Sequence, residues 1–88
     1  MDTKKPELTI ERIQTGIRIE KRLLKVLKGL AELKDVTLGD LLEGILLHVY
    51  EGKQPFGKET IAQIKVLKKI YGLTLTATNS HKLIEAEK

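Results

Sequence analysis

Between Ile19 and Glu20 the spacing of apolar residues changes from every second position to every third or fourth, and no other feature constrains the chain as much. Residues 8–19 read Leu-Thr-Ile-Glu-Arg-Ile-Gln-Thr-Gly-Ile-Arg-Ile, and the run ends by alternating Thr15, Ile17 and Ile19 with Gln14, Gly16 and Arg18. Such alternation predicts a half-buried β-strand. A lone strand leaves unpaired N–H and C=O groups along both edges, so it has to pair with something. No second convincing strand stands nearby. The leading partner is therefore the same segment of a second copy.

Size points the same way. A chain of 88 residues is one small domain, and chains this short bury only about 60% of their unfolded surface. Cysteine is absent, which removes disulfides, Cys-zinc sites and thiol catalysis together and fits a reducing compartment. A symmetric homodimer sharing one core is the simplest remedy. Hydrophobic residues at 41% and charged residues at 32% describe a globular chain, and aromatics at 3% (Tyr50, Phe56, Tyr71) leave the core to aliphatic side chains.

From Glu20 onward Leu23, Leu24, Leu27, Leu30 and Ala31 form one helical stripe, with Lys21, Arg22, Lys25 and Lys28 elsewhere on the surface, and the helix is expected to end near Lys34. Asp35-Val36 makes a short turn. Thr37 is a good N-cap for a second helix, with Asp40 at its third position to complement the positive helix end. Leu38, Leu41, Leu42, Ile45, Leu46 and Val49 give that helix an apolar face broad enough for more than one neighbour, and it is expected to stop around Glu51-Gly52. Lys53-Gln54-Pro55-Phe56-Gly57 reads as a linker. Ile61, Ile64, Leu67 and Tyr71 predict a third helix over about 58–71, closed by Gly72; residues 73–88 are open between extended chain, a short helix after Ser80 and a frayed end.

Strand, helix, short turn and helix over residues 12–51 resemble the ribbon-helix-helix family of DNA-binding repressors, which includes the Arc and methionine repressors. The residues that carry the likeness are Gly16-Ile17-Arg18-Ile19 running into Glu20-Lys21-Arg22-Leu23-Leu24, then Leu30 to Thr37, then Leu41-Leu42 and Ile45-Leu46. The family commonly has a proline where Glu20 stands and a glycine where Asp35 stands. The resemblance implies a mainly α fold with one N-terminal β-strand, in which two chains intertwine and their strands form an antiparallel ribbon that enters the major groove of double-stranded DNA. The expected division is a flexible basic arm over 1–11, the DNA-binding unit over 12–52 and a C-terminal extension over 53–88.

On such a ribbon Arg18 is the foremost candidate for base reading, since its planar fork suits guanine O6 and N7 and its neighbours Ile17 and Ile19 take the opposite face. A solvated strand arginine is the plain alternative. Gln14 lies four residues back on the same face and has the chemistry for adenine; Gly16 between them has no side chain to read with and lets the backbone approach the bases. Arg12 continues the parity, to base or phosphate. Thr37 with the backbone amides of Leu38 and Gly39, and Lys34 beside them, form the candidate phosphate site, although Thr37 serves equally as a plain cap.

Charge agrees with an anionic partner at the two ends. Residues 1–34 hold nine Lys+Arg against five Asp+Glu, residues 35–57 one against four, and residues 58–88 six against three, for a net +4. His48 and His81 stand 33 residues apart without a ligand set, so packed or surface imidazoles are expected and no metal or other cofactor. No Gly-rich phosphate loop, nucleophile elbow or paired-histidine helix is present, so no enzyme is expected. The longest apolar stretch, Ile45-Leu46-Leu47 with the His48-Val49-Tyr50 that follows, falls far short of the roughly 20 residues of a membrane span. Residues Met1 to Pro6 show no secretory signal, and a cytoplasmic protein is the default. The leading expectation is a homodimeric transcriptional regulator, most simply a repressor, with higher-order assembly on DNA. The alternative is an antitoxin-type interaction module whose residues 58–88 bind a protein partner.

Overall fold

The structure is a computed structural model and describes residues 7–86. Residues 1–6, which include Lys4 and Lys5 of the expected basic arm, lie outside the described residues. Among the described residues there are three helices, α1 (Lys21–Lys34), α2 (Leu38–Tyr50) and α3 (Lys58–Tyr71), followed by a short 3-10 turn, Ala77–Asn79.

Side chains cap the starts of α1 and α2, and the start of α3, at Gly57, has no side-chain cap. The Glu20 carboxylate accepts hydrogen bonds from the Arg22 and Leu23 backbone N–H groups, both at 2.8 Å, and so caps α1. The Thr37 hydroxyl accepts from the Asp40 N–H at 3.0 Å and caps α2. All three helices close on a left-handed residue just past their last turn. These residues are Asp35 (φ 57°), Gly52 (φ 70°) and Gly72 (φ 69°). Each closure carries the long bond such an end requires: Val36 N–H to Ala31 O, Lys53 N–H to His48 O and Leu73 N–H to Lys68 O. Two of the three use glycine, for which this backbone is free of strain, and the first uses aspartate. Asp35→Gly is therefore expected to stabilise the fold by about 0.5–1 kcal/mol, read as a higher urea midpoint at unchanged slope.

The core is small and aliphatic. Val26, Leu30 and Ala31 from α1, Leu41 from α2, Leu67 from α3 and Leu73 beyond it are buried in one cluster, with Leu27, Ile45, Phe56, Ile64, Tyr71 and Leu75 packed around it. Helix α1 is the centre: α2 and α3 both pack on it. Gly29 makes the α1–α3 contact close, because a Cβ there would meet Leu67 Cδ2 at 3.1 Å and Tyr71 at 3.5 Å. The Lys25 ammonium lies 5.9 Å from the Tyr71 ring centre on the same side. On α3, Thr60 is buried and its hydroxyl accepts from the Lys34 ammonium at 2.8 Å.

The expected strand is the main correction. Among the described residues there is no strand, and residues 7–20 carry no regular secondary structure. None of residues 7–19 makes a backbone hydrogen bond to another described residue. The physical reason is that a strand exists only as part of a ladder, and one chain offers this segment no second edge. The apolar alternation has no inside either: Ile13 and Ile17 are exposed and Ile19 only partly covered. The fold seen here is all-α, and the segment that was to be a strand is neither helical nor paired.

The last segment leaves α3 through buried Leu73 and turns at Ala77–Asn79, where Thr76 N–H donates to the Asn79 side-chain oxygen at 2.9 Å. His81 is left-handed (φ 66°). The chain then runs on without regular structure to residue 86. Among the described residues no helix is long and apolar enough to cross a membrane.

Candidate nucleic-acid interface

Of the four candidate base-reading residues, three have side chains, and all four lie in the exposed segment before α1. Gln14 has no side-chain partner among the described residues. A Cβ at Gly16 would meet nothing within 4 Å, so this glycine answers no packing need among the described residues. The two arginines, however, are not free. Arg12 donates from Nε and Nη2 to both carboxylate oxygens of Glu43 on α2, at 2.8 and 2.9 Å. This parallel pair ties the early segment to the middle of the second helix. The bond from Arg12 holds the Glu43 carboxyl below its ordinary range, and Glu43 in turn raises the guanidinium. A depressed carboxylate adds stability above its unfolded pKa and loses it as the pH falls through the folded value, so this tie persists at neutral pH and opens in acid.

Arg18 makes the second pair. Its Nε donates to Glu85 Oε1 at 3.3 Å and its Nη2 to Glu85 Oε2. Both side chains remain open to solvent, at 82% and 66% exposure. Sequence reasoning found neither Glu43 nor Glu85. Their partners lie 31 and 67 residues away, and no local spacing encodes such a distance; the only cue is that Glu43 interrupts an otherwise apolar stretch of α2.

The candidate phosphate site at the start of α2 is built in part. With the Thr37 hydroxyl taken by Asp40 N–H, the backbone amides of Leu38 and Gly39 are left without acceptors among the described residues, as the first turn of any helix requires. The surrounding concavity is lined by Arg12, Asp35, Val36, Thr37, Gly39 and Asp40, so a cation and two carboxylates share it. Lys34 is not part of it: its ammonium is held by Thr60 on the α3 side. His48 bonds through Nδ1 to the Gly44 carbonyl one turn back, at 2.7 Å. No cluster of three metal-type ligands occurs among the described residues.

Two apolar surfaces flank this region. Of the six apolar residues on the face of α2, only Leu41 is buried; Leu46 and Val49 are exposed, as are Leu47 and Tyr50 beside them. On the other side of α1 a cavity of about 480 Å³, lined chiefly by Leu23, Leu27, Leu30, Ile64, Leu75 and Leu83, opens beneath the C-terminal segment. Comparison of the chain with protein-family models, with curated proteins and with solved structures finds no match.

Proposed function

We propose that this chain is a homodimeric, sequence-specific DNA-binding regulator of the ribbon-helix-helix kind, most simply a repressor that occupies its operator. The observation that carries the reading is the exposed end of the apolar face of α2, at Leu46 and Val49, together with an unpaired, alternating segment before α1. Both deficits are met at once if two copies lay residues 14–19 antiparallel and interleave their α2 helices. The backbone angles support it further. Glu20, where the family commonly carries proline, has φ −58°, the value a proline ring imposes, and Asp35, where the family carries glycine, is left-handed. Gln14 and Arg18 share one face of the ribbon, and the net charge of +4 favours a polyanion.

The antitoxin-type alternative assigns residues 58–88 to a protein partner. In this chain α3 already buries Thr60 and Leu67 against its own α1. That packing favours a structural role for α3 over a tail that folds only on its target. The proposed ligand is double-stranded DNA alone.

The test is selection of bound duplexes from a random pool at two salt concentrations, with particle mass measured in solution. The expected result is a dimer that enriches a two-fold symmetric sequence. A chain that stays monomeric at micromolar concentration and enriches nothing would refute the proposal.

A further inference from the structure

The ion pair between Arg18 and Glu85 joins the segment proposed to read DNA to the far end of the chain, and its geometry is specific. A guanidinium has two edges that can grip a planar acceptor, the side edge of Nε and Nη2 and the end of Nη1 and Nη2. Glu85 holds the side edge, Nε to one oxygen and Nη2 to the other. The end of the fork, with both Nη1 hydrogens and the second Nη2 hydrogen, remains open, and Arg18 is largely exposed. That end matches the spacing of guanine O6 and N7. The carboxylate is brought there by a built path: Leu73 is buried in the core, the Thr76–Asn79 turn fixes the bend, and Leu75 and Leu83 lie along the α1 cavity.

We propose that Glu85 is a positioning residue that holds the Arg18 side chain in the orientation for end-on contact with guanine, and so sets base preference at one position of the half-site. The proposal rests on the reading of Arg18 given above. A free arginine on an exposed segment has to lose its rotamer freedom when it meets a base edge, and ordering such a side chain costs about 0.5–1.5 kcal/mol, a factor of about two to ten in affinity. An arginine already gripped by a carboxylate has lost part of that freedom beforehand. The negative charge of Glu85 weakens binding to any duplex alike, whereas its hold on Arg18 strengthens only the duplex with guanine in the right place.

This difference supplies the test. Glu85→Gln, Glu85→Asp, Arg18→Ala and the double variant Arg18→Ala/Glu85→Gln would be titrated with the duplex recovered from the random pool, with the same duplex carrying 7-deazaguanine at the contacted base, and with random-sequence duplex. Glu85→Gln is expected to weaken the recovered duplex about two- to tenfold while leaving the random duplex equal or slightly tighter, and to shrink the penalty for 7-deazaguanine. Glu85→Asp should fall between wild type and Glu85→Gln, and the double variant should bind no more weakly than Arg18→Ala alone. Tighter binding of Glu85→Gln to both duplexes by one factor would overturn the proposal, as would losses that simply add in the double variant. If Arg18→Ala itself loses equally on recovered and random duplex, the fault lies in the reading of Arg18 rather than in the role of Glu85. A melting curve of Glu85→Gln that matches wild type checks that the fold is intact.

Discussion

Leu30→Ala is expected to destabilise the protein by about 2–5 kcal/mol, the range for removing three carbons from a buried leucine that its neighbours cannot replace. Leu30 is 1% exposed and belongs to the cluster that joins all three helices, with Leu41 from α2 and Leu67 from α3. A cavity at this point loosens both helix contacts of α1 at once. Small domains hold only about 5–15 kcal/mol in total, so the variant should lose a large share of its stability. Urea unfolding at one fixed protein concentration is the measurement, because the midpoint of the proposed dimer would move with concentration. A shift below about 1 kcal/mol would mean that Leu30 is not where the helices meet.

Arg18→Ala is expected to cost about 1–3 kcal/mol on the preferred duplex, five- to 150-fold in affinity, and to relax the preference at a single base position. On random duplex the loss should be that of one cation only. The two readouts separate a base-reading side chain from a solvated positive charge. A phosphate-contacting lysine behaves in the opposite manner, weakening all sequences alike and lowering the salt slope by about one unit. Equal loss on both duplexes would place Arg18 with the lysines.

The helices were legible because each is written locally. The stripe from Leu23 to Ala31, the Thr37 cap and the Gly72 stop give α1, α2 and α3 within a residue of their observed ends. What packs on what was less legible. The expected α1 stripe omits Val26, yet Val26 is buried, and α3 comes closest on the neighbouring Gly29 side, where a Cβ would meet Leu67 at 3.1 Å. The residues were in view; the preference for that side over the other depends on the Leu67 and Tyr71 side chains forty residues on. The candidate site divides in the same way. Parity puts Gln14 and Arg18 on one face of an extended segment, but the carboxylates that grip Arg12 and Arg18 are set by tertiary folding. The placement of Lys34 is of the same kind, since its acceptor, Thr60, belongs to a helix that periodicity predicts and cannot dock.

The missing side chain at position 29 has an evolutionary corollary. Since α3 rests in the notch that Gly29 leaves, with the Leu67 methyl where a Cβ would intrude, position 29 is not free to drift by itself. Descendants of this chain that acquire a larger residue there should carry a smaller one at position 67, with adjustment at 71, so that the three positions co-vary while Lys21 and Lys28 on the surface of α1 change independently.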